Sequence, residues 1–240
     1  MRKPRRTGHV HSSSMKSLCL TAFLVGSSLL ALEPTPRPNP ERFSKEIAAF
    51  SAQPAQSGGI VFTGSSSIRL WKTLEKDFAN LPVLNRGFGG SVANDLVVHF
   101  DTLVARHEPK LIVTYTGSND INAGLTVEET LSDYTRFLNK VHEQLPEARV
   151  IITSVKIGEK RITQIPQVHE VNRQLKMWAE DHDWARYVDC TSYLADEKGH
   201  PIRIYYAKDL LHLSPEGYVE WTKILDPILR EEWARVTKKC

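Results

Sequence analysis

The chain has 240 residues, of which 41% are hydrophobic and 25% charged, and its formal net charge is +3 at pH 7. These proportions are ordinary for a globular protein, and they exclude a collagen, a low-complexity chain, a disulfide scaffold and a polytopic membrane protein. The length predicts one large domain or two small ones, with enough chain to bury a sizeable core.

Residues 1–32 are predicted to be a signal peptide or N-terminal leader. A basic stretch ending at Lys16 precedes an apolar run at 17–32, which is shorter than the roughly 20 apolar residues of a membrane span. Met15 is an alternative start because it gives a more compact signal, and an uncleaved membrane anchor is the alternative interpretation. A cleaved leader predicts an exported protein, periplasmic or secreted.

The positive charge is concentrated in that leader. Residues 1–31 contain five basic and no acidic side chains, so removing five positive charges from +3 leaves −2 on the remainder. No basic cluster suited to nucleic acid is left, and we expect no nucleic-acid partner.

A proline-rich spacer at 33–45 precedes a domain predicted over 46–240. A disulfide between Cys190 and Cys240 stays open, because two cysteines do not establish one.

The remainder of the chain alternates predicted strands and helices. The strands are expected at 60–64, 82–85, 111–117, 150–155 and 187–189. The helices are expected at 66–79, 92–106, 126–145 and 166–182, with a last helix after Ser214. Short apolar strands separated by longer amphipathic helices indicate a parallel sheet that is buried on both faces.

Local signals support three of the helix starts. Thr126 followed three residues later by Glu129 fits a capping box. Ser214 is a suitable N-cap before a proline, and Ser91 can cap the helix at 92–106. The pattern predicts an α/β fold, a three-layer α/β/α sandwich with a central, mostly parallel sheet of about five strands. The functional site of such a sheet lies at the carboxyl ends of the strands.

Two serine- and glycine-rich segments follow the first two strands. In the segment GSSS, Gly64 permits a tight turn, and Ser66 would begin a helix whose dipole favours developing negative charge. A helix cap is the alternative role for these serines. The segment RGFGGS lets a backbone N–H approach a ligand at Gly90, and a plain glycine-rich turn is its alternative.

Two further segments carry polar side chains. In TGSND, after the third strand, Asn119 offers an uncharged amide donor for an oxyanion, and an Asx turn is the alternative. In DLLHLS, Asp209 and His212 are three residues apart, which on a helical turn would bring them to one face. A carboxylate beside an imidazole fixes its tautomer. Metal ligation is the poorer interpretation, since no HExxH or CxxC motif accompanies the pair.

Together, these segments resemble the SGNH hydrolase superfamily, the GDSL-type esterases, over about residues 56–235. VFTGSSSIRLW resembles the block that carries the nucleophile, NRGFGGS and TGSND resemble the two oxyanion blocks, and DLLHLSPEGY resembles the Asp-x-x-His block. The similarity is strongest to the branch of platelet-activating-factor acetylhydrolase-like bacterial acylhydrolases. The resemblance implies a Ser66, His212 and Asp209 triad, with Gly90 and Asn119 in the oxyanion hole.

The chain departs from the family pattern beside the nucleophile. Ser65 stands where the family has aspartate, and Ser67 follows, so both are rival nucleophiles, although alignment on Gly64 favours Ser66. The second block ends in Ser91, where aspartate is common in that branch.

The resemblance implies a serine esterase or acylhydrolase that cleaves small acyl esters, acetyl above all, without cofactor or metal. A lysophospholipase or thioesterase of the same fold, a flavodoxin-like cofactor binder and a non-catalytic α/β binding module are the alternatives. The substrate is expected to be a small ester, an acetylated carbohydrate or a lipid.

The positions of five further side chains can be predicted. Tyr205 and Tyr206 are candidates for lining the pocket, and Trp71 and Tyr115 are assigned to the core. Arg69 is interpreted as a surface residue rather than a binder of an acidic group.

Overall fold

Five parallel strands form the central sheet in the order β2-β1-β3-β4-β5. They are β1 Ile60–Gly64, β2 Val83–Gly87, β3 Leu111–Tyr115, β4 Arg149–Thr153 and β5 Ala185–Val188. The computed structural model describes Met1 and residues 33–238. The predicted leader after Met1, and Cys240 with its possible disulfide, lie outside these residues. The predicted three-layer fold with a parallel sheet of five strands is confirmed.

Helices cover both faces of the sheet. The α-helices are α1 Ser44–Ser51, α2 Ser66–Arg69, α3 Leu74–Asp77, α4 Ala93–Val98, α5 Phe100–Leu103, α6 Ser118–Asn122, α7 Val127–Gln144, α8 Ile165–Glu180 and α9 Pro215–Thr237. Short 3-10 helices lie at Pro40–Phe43, Ala105–His107, Glu159–Gln164, Ser192–Leu194 and Arg203–Tyr205. As predicted, Thr126 and Glu129 form a capping box on α7, and the Ser214 side chain accepts a hydrogen bond from the N–H of Gly217 at the start of α9.

Alternate residues of the strands supply two separate cores. Val61, Ile112 and Ile152 point to the face that α4, α5, α7 and α8 cover. Phe62 and Val113 point to the opposite face, which is covered by α2, α3 and α9. Burial on both faces explains why the strands read as continuous apolar runs. Trp71 and Tyr115 lie in the second core at 1% exposure, as expected.

Two predicted helices are interrupted. The helix expected at 66–79 is wrong as one element, because the chain leaves the helix after α2 and buries Trp71, whose indole N–H donates to Asp77 at 2.7 Å. The helix expected at 92–106 divides into α4, α5 and a 3-10 turn, with the first break at His99. Ser91 does not cap α4, since Val92 is the N-cap and its N–H donates to Asp95 at 2.8 Å.

The segment predicted as a spacer lies against the domain, within the unit Pro34–Cys240. Arg37 donates to Asp133 and Glu129 on α7, and Arg42 pairs with the buried Asp95 at the start of α4. Phe43 is buried and packs edge-on against Phe88, the residue after β2. Among the described residues, no helix has the length and apolar character to cross a membrane.

In this strand order, β2 lies on one side of β1 and β3 on the other, so the topological switch point lies between β1 and β3. In sheets of this kind the ligand crevice lies at that point, beyond the carboxyl ends of the strands. The segments with serine, glycine and asparagine leave β1, β2 and β3 at this edge. The sheet therefore brings together motifs that are far apart in sequence.

Gly64 controls the exit from β1. Its φ is +133°, and a Cβ atom placed there would lie 1.9 Å from the carbonyl oxygen of Tyr115 on β3. The next residue, Ser65, donates its N–H to that same oxygen at 3.0 Å. Only glycine allows the two strands to approach so closely while the chain turns into α2.

We expect Gly64→Ala to lower the free energy of unfolding by about 3 kcal/mol or more, because backbone strain and a backbone clash act together. Urea denaturation measures the loss. Gly199→Ala is the matched control: its φ is +80°, but a Cβ there would meet nothing within 4 Å. That change should cost about 1 kcal/mol, and equal losses in the two variants would contradict the packing argument.

Candidate active site

Ser66 is the serine of the GSSS segment that opens onto a cleft. Ser65 and Ser67 are 3% and 1% exposed, whereas Ser66 is half-buried at the first position of α2. Since α2 has only four residues, its dipole is much weaker than the sequence suggested. The tight turn after Gly64, rather than a long helix, places this hydroxyl at the sheet edge.

The imidazole of His212 lies between Ser66 and Asp209. Its Nε2 is 2.9 Å from the Ser66 Oγ, and its Nδ1 is 2.5 Å from the Asp209 Oδ2. The Asp-x-x-His segment is a turn, so the expectation of a helical turn is wrong. Asp209 Oδ1 accepts the N–H groups of Leu211 and His212, and Leu210 adopts a φ of +58°. The turn still brings the two side chains together.

Asp209 is held as a carboxylate. Partial burial raises the pKa of Asp209, but hydrogen bonds from the His212 side chain and from the N–H groups of His212 and Leu211 outweigh it, so the pKa lies below its usual range. A carboxylate at this position accepts a hydrogen bond from Nδ1–H, which leaves Nε2 as the basic nitrogen toward Ser66.

Three potential donors belong to residues that line the same cleft as the Ser66 hydroxyl. Within residues 33–238, the N–H groups of Ser66 and Gly90 donate no hydrogen bond. The Asn119 amide donates from Nδ2 to the carbonyl of Ser91 at 3.0 Å, which leaves its second proton for a ligand. All three residues line one cleft of about 480 Å³.

Arg161 completes this arrangement, although the sequence did not indicate it. Its guanidinium donates to the Asn119 Oδ1 at 3.1 Å and to the carbonyl and hydroxyl oxygens of Ser118, both at 2.8 Å. A donor on Oδ1 prevents the Asn119 amide from flipping, so its NH2 group faces the cleft. Arg161 lies in a 3-10 helix after β4, where no motif marked it.

Lys156 supports the turn that carries His212. Its buried ammonium donates to the carbonyl of Leu211, and the backbone N–H of Lys160 donates to the carbonyl of Leu210 at 3.2 Å. Burial, together with the charge of Arg161, lowers the pKa of Lys156 to about 7. The loop after β4 therefore positions both Asn119, through Arg161, and the histidine turn.

The two tyrosines proposed for the pocket lie elsewhere. Tyr206 is buried in the second core, and its hydroxyl donates to the carbonyl of Ile157 at 3.0 Å. Tyr205 packs against the same core. Neither residue lines the cleft, which is formed by Glu46, Ser66, Arg69, Gly89, Gly90, Asn119, Arg161, Leu211 and His212. Across residues 33–238, no cluster of three or more His, Cys, Asp or Glu side chains is arranged to hold a metal ion.

Asp120 joins the two loops that carry the potential donors. One carboxylate oxygen accepts the N–H of Ala93 at 2.8 Å, and the other accepts the N–H of Gly117 at 3.1 Å. The side chain is fully buried, and this burial raises the pKa of Asp120 to about 7. The loop after β2 and the loop after β3 are thus fixed relative to each other by one carboxyl group.

We expect Asp120→Ala to lower the free energy of unfolding by about 2–6 kcal/mol, because two buried N–H groups lose their acceptor at about 1–3 kcal/mol each. Asp120→Asn should cost less, since one oxygen remains. Denaturant titration of both variants measures this order. Asp101→Ala, at an exposed position on α5, is the control, and an equal effect there would contradict the bridging role.

Comparison with known proteins identifies the family. Residues 54–219 match the model of the GDSL-like Lipase/Acylhydrolase family. The chain is 26% identical over 178 residues to platelet-activating factor acetylhydrolase IB subunit alpha1 of Homo sapiens, covering 71% of this chain and 74% of that protein. It is 28% identical over 137 residues to the acetylxylan esterase / glucomannan deacetylase of Cellvibrio japonicus, covering 56% of this chain and 37% of that protein.

A solved structure has the same fold. The crystal structure of a GDSL-like lipase from Bacteroides thetaiotaomicron superposes with a TM-score of 0.66 at 21% identity, covering 80% of this chain and 98% of that one. The resemblance seen in the four sequence segments is confirmed. The family match spans more than half of the chain, and the chain therefore belongs to the GDSL-like lipase/acylhydrolase family of ester hydrolases.

Proposed function

We propose that the protein is a serine esterase that removes short acyl groups, acetyl above all, through a Ser66–His212–Asp209 triad. The hydrogen-bonded chain from Ser66 Oγ to His212 and on to Asp209, with distances of 2.9 and 2.5 Å, carries this proposal. A binding module or a flavodoxin-like cofactor site has no need of a base within reach of a half-buried hydroxyl.

The first half of the reaction acylates Ser66. Nε2 of His212 accepts the hydroxyl proton while Oγ attacks the ester carbonyl, and Asp209 stabilises the imidazolium through Nδ1–H. The imidazolium then gives its proton to the leaving alcohol. In the second half, His212 takes a proton from water as the water oxygen attacks the acyl carbon. The imidazolium then returns a proton to Ser66 Oγ as the Oγ–acyl bond breaks and the carboxylic acid leaves.

The negative oxygen of each tetrahedral intermediate would accept hydrogen bonds from three groups. These are the N–H groups of Ser66 and Gly90 and the Asn119 amide. Removing one such donor typically costs about 2.7–4 kcal/mol of barrier. Arg161 contributes through Asn119, because its positive charge on Oδ1 polarises the amide toward the oxyanion.

The lining of the cleft supports a short acyl group. Leu211 is its one large apolar side chain within the described residues, whereas Glu46, Arg69 and Arg161 are charged. A long acyl chain would find little apolar surface there. Two relatives carry names that point the same way, an acetylhydrolase and an acetylxylan esterase. An acetylated carbohydrate is therefore the substrate class that we favour.

A longer-chain acylhydrolase is the second candidate, and one observation favours it. Asp209 and His212 also line an apolar groove of about 500 Å³, and its apolar lining is Leu70, Ala207, Leu213, Pro215, Tyr218 and Val219. A lysophospholipid chain would fit such a surface.

We further propose that the protein is exported, on the basis of the leader pattern at residues 1–32.

Replacing the proposed nucleophile tests the mechanism. We expect Ser66→Ala to abolish hydrolysis of 4-nitrophenyl acetate, a loss of about 10⁴-fold or more in kcat, without a change in the unfolding midpoint. Labelling by a fluorophosphonate probe should disappear in parallel. Ser65→Ala and Ser67→Ala are the matched controls. Loss of labelling in either control, with Ser66→Ala still active, would transfer the nucleophile to that serine.

The acyl preference can be measured with 4-nitrophenyl esters from acetate to octanoate, alongside acetylated xylan. A polar cleft predicts that kcat/KM falls as the acyl chain lengthens, since each added methylene has no apolar partner. Acetate release from xylan should accompany this trend. A rise toward octanoate would instead support the apolar groove and the second candidate.

A further inference from the structure

Arg69 places a cation beside the proposed nucleophile. It lies three residues after Ser66 on α2, so the two side chains share one face, and both line the cleft. Within residues 33–238, the Arg69 side chain makes no hydrogen bond or ion pair. Arg161, the other guanidinium of the cleft, is already bonded to Ser118 and Asn119. The donors of Arg69 are therefore free for a ligand.

The glycine-rich segment after β2 makes room for this guanidinium. A Cβ atom at Gly89 would lie 2.6 Å from Nε and 2.9 Å from a terminal nitrogen of Arg69. The side chain thus rests against the backbone of Gly89, next to the N–H of Gly90. Arg69 was predicted to be a surface residue; it is exposed, and its guanidinium also lines the cleft wall.

The charges around this position favour an anion. Arg69 and Arg161 contribute two positive charges to the lining, and Glu46 contributes one negative charge. The planar fork of a guanidinium matches the geometry of carboxylate and phosphate oxygens. Glu46 on α1 is exposed and forms no ion pair with Arg69 across the described residues, so it weakens the positive field without occupying the donors.

We propose that Arg69 binds an anionic oxygen group, a carboxylate or a phosphate, on the ester substrate at a position away from the scissile bond. The proposal rests on the esterase function proposed above and narrows its substrate class to charged esters. An acetylated acidic sugar and a phosphate-bearing ester share this chemistry.

Matched pairs of acetyl esters test the proposal. 3-Acetoxybenzoate is compared with its neutral methyl ester, and 3-acetoxyphenyl phosphate with 3-acetoxytoluene, so that carboxylate and phosphate form separate arms. The measured quantity is the ratio of kcat/KM for the charged ester to that for the neutral one. We expect Arg69→Gln to lower this ratio about fivefold, the upper range for an exposed ion pair, mainly through KM.

Three companion measurements separate charge from other causes. Glu46→Gln should raise the same ratio, since it removes the opposing carboxylate. Raising the salt from 20 to 500 mM should reduce the effect of Arg69→Gln, because salt screens exposed charges. Arg173→Gln on α8, where Arg173 pairs with Glu170, removes a surface charge outside the cleft and should leave the ratio unchanged.

The outcomes distinguish the two proposals. If wild type hydrolyses the neutral esters but Arg69→Gln leaves the ratio as it was in both arms, the anion site is wrong and the esterase proposal stands. If no ester of any kind is hydrolysed, the esterase proposal itself fails. A lowered ratio in one arm assigns the anion as carboxylate or phosphate.

Discussion

The close approach of β1 to β3 at Gly64 is the constraint on which the candidate site depends. The carbonyl of Tyr115 receives the N–H of Ser65 where any side chain at position 64 would collide with it. The chain must turn immediately after the strand, and the Ser66 hydroxyl emerges beside the loop that carries Asn119. The hydroxyl of Tyr218 on α9 donates to the carbonyl of Ser67 at 2.9 Å and fixes the same turn from the far side.

A second set of contacts aligns the histidine with that serine. Ser66 and His212 are separated by 146 positions, so their distance is determined by tertiary contacts rather than by local structure. The Lys156 ammonium donates to the carbonyl of Leu211, and the Lys160 N–H donates to the carbonyl of Leu210. These two hydrogen bonds hold the turn that carries His212. The loop after β4 thus acts on the base, and through Arg161 it also acts on Asn119. One loop therefore orients groups on both sides of the proposed reaction centre.

The fold could be predicted because its strands are buried on both faces and its helices are amphipathic. β1 has the residues that the sequence indicated, and the Thr126 capping box gave the start of α7. The break at Trp71 could not be predicted, since the indole packs against Tyr218 and Trp221 of α9, which are distant in sequence.

Sequence motifs indicated the site residues only where residues that act together lie close together in the sequence. Asp209 and His212 meet as expected, although through a turn that Leu210 makes with a positive φ rather than through a helix. Arg161 belongs to no motif, because its role arises from a contact with Asn119 42 residues away. Tyr206 is close to Asp209 in sequence, but its side chain is buried in the second core.

Net charge and local charge are determined by different residues in this protein. Without residues 1–31 the chain would carry −2, yet the cleft contains two guanidinium groups and one carboxylate. The two arginines would act on different charges in the proposed reaction. A fixed anion on the substrate is present in the ground state and the transition state alike, so a contact with Arg69 strengthens binding of both and changes KM. The oxyanion exists only as the reaction proceeds, so the Asn119 amide and Arg161 behind it change kcat.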